Sequence, residues 1–356
     1  MPGCYRSRAC GVRLPAKRNP CKLTASMPEV TERPAGPEPF LRGAPYPSHP
    51  DAAYPRADPS ALGERLPRDT WAAACIPAGV RLEWIGDARV VEIEYETRTD
   101  ALGYRGEGAG RCFTLFQGER AVCEVPAQLG RDRVEIECAA QGADRCILYL
   151  PEGMQPCVLA LRARDGSIEP APRQPTWLCY GDSIAEGWNA SGPAYSWPAL
   201  AARRKGLNLM NLAYAGAARG EIVSAEALAG LPADVITLAH GTNCWSRTPH
   251  SEGLFREALK AFLARVRQGH PATPIVALSP LRRPDAESTP NVFGATLSDL
   301  RRCFEGVVRS QIAAGDRHLS LVSGESLVDA SHLPDGIHPD DTGHAEVAAA
   351  MAPWLC

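Results

Sequence analysis

Between about Thr70 and Glu169 apolar and polar residues alternate with a period of two. Val91, Ile93 and Tyr95 alternate with Glu92, Glu94 and Glu96, and Val134, Ile136 and Cys138 with Glu135 and Glu137. Successive side chains of a strand point to opposite faces, so this period predicts half-buried strands. Similar runs lie at Val80 to Trp84, Cys112 to Phe116, Ala121 to Val125, Cys146 to Leu150 and Cys157 to Ala163. Short strands at this spacing, punctuated by Gly, Asp and Pro, predict an antiparallel, jelly-roll-like β-sandwich over residues 68–172.

Past the proline-rich stretch Ile168 to Pro175 the pattern changes to short apolar runs separated by helical ones. The runs are Trp177 to Tyr180, Leu209 to Leu212, Val235 to Ala239, Ile275 to Leu278 and Leu319 to Val322. Between the third and fourth, Phe255, Leu259, Phe262, Leu263 and Val266 fall on one face of a 3.6-residue period, with Arg256, Lys260 and Arg267 elsewhere. That is an amphipathic helix lying on a sheet. Further helices are expected over about Leu297 to Ala314 and Thr342 to Met351. Five strands alternating with helices predict an α/β domain over residues 173–356, its parallel sheet covered on both faces and wound right-handedly.

The start of the chain follows neither pattern. From Pro28 to Pro67 there are ten prolines, which cannot form a helix because each lacks a donor and restricts the residue before it. Residues 28–67 are expected to be a linker, or an extended arm lying on the next domain. Residues 1–27 have no periodicity and carry six Lys or Arg among the first 28 residues with no acid. They read as a disordered basic tail or the translation of an upstream start before Met27, with a targeting or acid-binding arm as the sharper alternative.

Composition narrows the class. An apolar fraction of 45% is that of an ordinary globular protein, and 356 residues hold about two domains. With a net charge of −3 and a pI near 6.3, no overall basic field points to nucleic acid. No apolar run approaches the roughly 18 residues of a membrane span, and the basic start lacks the apolar region of a secretory signal. The thirteen cysteines contain no Cys-x-x-Cys pair, so neither a zinc ribbon nor a redox motif is indicated. Several, such as Cys138, Cys157 and Cys179, sit in apolar runs where a thiol packs as a small hydrophobe. A reducing cytoplasm is the expected location.

Candidate chemistry clusters at the ends of the predicted parallel strands. Acyl transfer through a serine needs a nucleophile, a base, a group that orients the base, and donors for the oxyanion. Ser183 follows the first strand in Gly181-Asp182-Ser183-Ile184, Gly216 the second, and Asn243 the third in His240-Gly-Thr-Asn243. Asp335-Gly-Ile-His338 follows the fifth. In a parallel sheet the loops beyond the carboxyl ends emerge at one edge, so residues this far apart in sequence can converge. Asp-x-x-His occurs three times, at Asp329 and His332, Asp335 and His338, and Asp341 and His344. Only the middle pair is followed by Pro and then by the Gly-His that opens the last helix, which selects His338 as the base. His332 reads as a loop residue, His344 as packing beneath the site, and His240 as structural or cleft-lining.

Taken in order, Gly181-Asp182-Ser183-Ile184, Gly216, Gly241-x-Asn243 and Asp335-x-x-His338 resemble the four sequence blocks of the SGNH or GDSL hydrolase superfamily. The resemblance covers roughly residues 174–356 and implies a flavodoxin-like three-layer fold and serine acyl chemistry with no metal and no cofactor. Family members with an added amino-terminal β-sandwich include carbohydrate deacetylases. Carried over, Ser183 would attack the acyl carbonyl, His338 would take its proton and Asp335 would orient the imidazole. The oxyanion would meet the N–H groups of Ser183 and Gly216 and the amide of Asn243. Where many relatives have aspartate after that asparagine, this chain has Cys244, which puts the hydrogen-bonded support of Asn243 in question and offers a thiol as a rival nucleophile. Trp188, Trp197 and Trp245 are candidates for an acyl or sugar platform, with core packing as the alternative. Asp182 ties the turn and stands with Trp188 and Trp245 as a candidate substrate contact. No lid-like apolar helix is evident, so a short acyl group such as acetyl is expected, on an oxygen of a sugar or small natural product. The alternatives are an acyltransferase using the same acyl-enzyme and an inert glycan-binding protein.

Overall fold

The computed structural model describes residues 35–101, 110–139 and 145–355, and these belong to one compact unit. The expected basic tail lies outside the described residues. Strands β1 (Leu41–Arg42), β2 (Arg81–Gly86), β3 (Val90–Thr97), β4 (Cys112–Gln117), β5 (Arg120–Pro126), β6 (Gly130–Glu137), β7 (Cys146–Tyr149), β8 (Cys157–Arg164) and β9 (Ile168–Pro170) build two antiparallel sheets. One runs β1-β2-β7-β4-β5 with β9 also paired to β2, and the other runs β6-β3-β8. Their inner faces carry the alternating apolar set: Ile93 lies opposite Val134 and Leu161, and all three join Leu82, Trp84, Phe113, Leu115 and Leu148 in one buried cluster. The other side of β3 carries Glu92 and Glu94, which pair with Arg162, Arg164, Arg131 and Arg133. The period of two is therefore apolar inward and an ion-pair ladder outward.

The proline-rich stretch is not confined to either half. Phe40 and Tyr54 enter the sandwich core, and the Tyr54 hydroxyl accepts the Val158 N–H at 3.0 Å. Ala52, Ala57 and Leu66 instead pack with Leu212 and Tyr214 of the following domain. The short helix α1 (Arg68–Ala74) places Trp71 in the same cluster.

Beyond β9 come β10 (Thr176–Gly181), α2 (Ser183–Glu186), α3 (Trp197–Lys205), β11 (Asn208–Ala213), α4 (Ile222–Gly230), β12 (Val235–Ala239), α5 (Glu252–Gly269), β13 (Ile275–Leu278), α6 (Leu297–Ala313), β14 (Leu319–Val322) and α7 (Asp341–Met351). The five strands form one parallel sheet in the order β11-β10-β12-β13-β14, the flavodoxin-like winding. Alternate residues of β10 feed two cores. Leu178 and Tyr180 join Phe255, Phe262 and Phe304 under α4, α5 and α6, whereas Trp177 and Cys179 join Trp197, Val347 and Met351 under α3 and α7. Trp197 is thus core, packed on Trp177 with ring centroids 5.8 Å apart. The α5 stripe is buried as the period predicts, each of its five side chains contributing about 1.5–3 kcal/mol of gross burial.

Register places the chemistry. Gly181 at the end of β10 lies opposite Ala213 of β11 and Ala239 of β12, so three strands end level and their loops open at one edge. A β-carbon on Gly181 would lie 2.5 Å from that of Ala185 and 2.6 Å from the Ala239 carbonyl oxygen. Only glycine lets α2 turn back so tightly over the strand end.

Candidate active site

Asp182 caps α2, its Oδ1 accepting the Ile184 N–H at 3.1 Å. The tight turn leaves Ser183 as the first residue of the helix, with its hydroxyl facing the cleft. Ser183 Oγ lies 2.7 Å from His338 Nε2, and His338 Nδ1 lies 2.6 Å from Asp335 Oδ2. Asp335 Oδ1 accepts the backbone N–H groups of Ile337 and His338 at 2.9 and 2.8 Å. A carboxylate can only accept, so the imidazole proton sits on Nδ1 and the Nε2 lone pair is left for the serine hydroxyl. Burial works against the charge on Asp335, but the hydrogen bonds from the His338 ring and the two N–H groups outweigh it and hold the acid below its ordinary range. For His338, burial disfavours the imidazolium and Asp335 opposes that; burial prevails and the value falls below the ordinary one.

The other two Asp-x-x-His pairs are occupied elsewhere. Asp329 accepts from Ser331, and His332 Nδ1 lies 3.4 Å from Asp340. Asp341 accepts the Ser191 N–H. His344 is fully buried in α7, its Nε2 donating to the Trp188 carbonyl at 3.0 Å and its Nδ1 accepting the Trp197 N–H at 3.3 Å. His240 is also buried, ringed by Tyr180, Phe255, Phe262 and Phe304, and does not reach the cleft.

The loop after β11 carries Gly216 at φ +69°, a left-handed backbone that favours glycine. Along residues 214–220 the backbone N–H groups of Tyr214, Ala215, Ala217, Ala218, Arg219 and Gly220 are all engaged. That of Gly216 has no partner among the described residues, and the N–H of Ser183, at the helix start, is equally open. Asn243 projects its amide into the same cleft, with one hydrogen donated to the Ala218 carbonyl at 3.0 Å. Support for this amide therefore comes from Ala218 rather than from the residue at 244. Cys244 is buried, its Sγ 3.7 Å from the Arg219 carbonyl, and burial pushes its thiol well up, away from thiolate.

The cleft has a volume of about 420 Å³ and is lined by Ser183, His338, Gly216, Asn243 and Trp188, together with polar groups that sequence reading did not single out: Asp69, Thr242, Ser246, Arg247, Thr248 and Arg283. These come from loops and from α1, where no periodicity marks them. Trp188 lines the cleft, stacked on His338. Trp245 does not; its indole N–H donates to the Thr289 carbonyl and its ring lies 5.0 Å from the Arg283 guanidinium. Asp182 is also outside the lining: burial raises its carboxyl to about 6, and its oxygen is spent on the turn. A larger cavity, about 570 Å³, lies by Thr176 and Asn208 at the amino ends of β10 and β11 and holds no such constellation.

Residues 179–346 match the model of the GDSL-like lipase/acylhydrolase family. Among solved structures the chain is similar to the salicylyl-acyltransferase SsfX3 from a tetracycline biosynthetic pathway, at 25% identity over 91% of this chain and 96% of that one, with a TM-score of 0.78. A putative GDSL-like lipase from Bacteroides ovatus shares 20% identity, with coverage of 91% and 98% and a TM-score of 0.75. A family two carbohydrate esterase from Clostridium thermocellum shares the fold at 15% identity, 77% and 90% coverage and a TM-score of 0.57. No curated protein matches the chain. Among the described residues no helix is long and apolar enough to cross a membrane.

Proposed function

We propose that this chain, a member of the GDSL-like lipase/acylhydrolase family through residues 179–346, is a serine esterase that removes a short, acetyl-like acyl group from an oxygen of a sugar or small natural product. The observation that carries this is the unbroken run from Ser183 Oγ through His338 to Asp335, at 2.7 and 2.6 Å, in a cleft also lined by Gly216 and Asn243. His338 Nε2 takes the Ser183 proton as Oγ bonds to the acyl carbonyl carbon. The carbonyl electrons move onto oxygen, where the N–H groups of Ser183 and Gly216 and the Asn243 amide stabilise them. Collapse expels the alcohol, which takes its proton from His338, and leaves Ser183 acylated. Water then repeats the sequence and releases the acid. A modest cleft lined mostly by polar residues, with Trp188, Ala215 and Ile337 among them, supports a short acyl group on a polar alcohol.

A second reading keeps the acyl-enzyme and transfers the acyl group to an alcohol instead of water. Similarity over nearly the whole chain to a protein named as a salicylyl-acyltransferase favours it. Both readings are tested with 4-nitrophenyl acetate, butyrate and octanoate, using the wild type and Ser183→Ala, with and without added sugar or polyol acceptors. Ser183-dependent turnover that falls with chain length, with free acid as the product, supports the esterase. Acylated acceptor as the main product supports transfer. No Ser183-dependent turnover under any condition contradicts both, and ligand binding unaffected by Ser183→Ala would then point to a glycan-binding protein.

A further inference from the structure

Arg56, in the proline-rich segment, is fully buried and reaches beneath the loop that carries Gly216. Its Nη2 donates to Glu186 Oε2 at 3.1 Å and to the Ala73 carbonyl at 2.7 Å. Its Nη1 donates to the carbonyl of Asn211 at 3.1 Å and to that of Ala213, the last residue of β11 before the loop. Its Nε donates to the Ile76 carbonyl. The carbonyl of Arg56 in turn accepts the Tyr214 hydroxyl at 2.9 Å. Glu186, whose side chain is also fully buried, accepts the Ala215 N–H at 2.9 Å through the same Oε2 that meets Arg56. One hydrogen bond therefore joins this ion pair to the residue directly before Gly216.

A buried carboxylate holds its charge only beside a cation, because desolvation of an isolated ion is prohibitive. A charged acceptor also holds a backbone N–H more tightly than a neutral one. Arg56 thus holds Glu186 in an ion pair, Glu186 fixes Ala215 through the same oxygen, and the peptide that follows carries the Gly216 N–H. We propose that Arg56 and Glu186 are a positioning pair that sets the Gly216 donor for the developing oxyanion, so that the proline-rich segment is a working part of the acyl-transfer site. The inference rests on the serine-esterase reading.

The test uses the full chain and the variants Arg56→Met, Arg56→Lys and Glu186→Gln. The kcat and KM for 4-nitrophenyl acetate, normalised to titrated active sites, are measured beside the inhibition constant of a trifluoromethyl ketone, whose hydrated oxygen mimics the oxyanion. Misplacement of one donor is expected to lower kcat by about 10- to 100-fold in Arg56→Met with KM little changed. Inhibitor affinity should weaken by a similar factor, the pH profile should stay in place, and Arg56→Lys should retain part of the activity. If Arg56→Met does not fold, Glu186→Gln keeps the shape and an acceptor for Ala215, and is expected to lose several-fold in both quantities. Wild-type values per active site in all folded variants, even with lowered thermal stability, would show that the pair only holds the fold together and would overturn the proposal. Wild-type turnover that survives Ser183→Ala would overturn the esterase reading, and this inference with it.

Discussion

Trp188 lies face to face with His338, ring centroids 5.0 Å apart and planes 29° from parallel. The indole covers one side of the imidazole and adds to the burial that leads the lowering of its pKa. The proposed acyl transfer needs the neutral ring, so kcat/KM is expected to hold above the His338 pKa and to be lost as pH falls through it. The acid limb is therefore expected below the ordinary histidine value of 6.5. Trp188→Ala wets the ring and should move that limb to higher pH, read from the pH dependence of kcat/KM. A limb that moves to lower pH would mean that the indole chiefly stabilises the imidazolium through its π face.

In the proposed mechanism Ser183 and His338 act on one proton. Ser183→Ala and His338→Ala are each expected to lower kcat by about 10⁴- to 10⁶-fold, and the double variant by hardly more than either alone. Asn243→Ala removes one of the proposed oxyanion donors and should cost about 10²- to 10³-fold. His332→Ala should stay within a few-fold of the wild type, because that ring faces Asp340. Inactivation by His332→Ala, with His338→Ala active, would reverse the assignment of the base.

Two buried histidines tie stability to pH. Burial lowers His240 and His344 to about 4, against an ordinary value of 6.5. Folding favours their neutral forms, so their contribution is intact above about pH 6.5. It is lost on acidification toward pH 4, at about 1.4 kcal/mol per pH unit for each ring. Asp182, raised by burial from 3.8 to about 6, works the other way in part of that window and offsets one ring. Thermal midpoints should fall between pH 6.5 and 4, and His344→Asn, which removes one titrating ring, should flatten the slope. A midpoint independent of pH across that window would contradict the burial of both rings.

The inner strands of the parallel sheet, β10, β12 and β13, were legible because they are buried on both faces and read as short, largely apolar runs. Val235–Ala239 and Ile275–Leu278 are such runs from end to end. The sandwich strands were legible for the opposite reason, since one face is charged and the period of two stands out, as in Val90–Thr97. Ser183, His338 and Asn243 stood out because each sits in a short motif at the end of a recognisable strand. Arg56 did not. It lies among prolines with no period, and its role depends on Glu186, which in sequence is an ordinary polar residue of a short helix. Asp69, Arg247 and Arg283 reach the cleft from segments whose positions are set by tertiary packing, and packing of that kind leaves no pattern along the chain. The strand β1, two residues long, is too short to carry one.

The most direct test of the account is to look for the acyl-enzyme itself. The wild type and Ser183→Ala are mixed with 4-nitrophenyl acetate, quenched in acid at short times, and digested for mass spectrometry. One acetyl group is expected on the peptide containing Ser183 in the wild type, decaying as free acetate forms, and none on that peptide in the variant. Acetyl on Cys244, or steady turnover with Ser183 never modified, would contradict it.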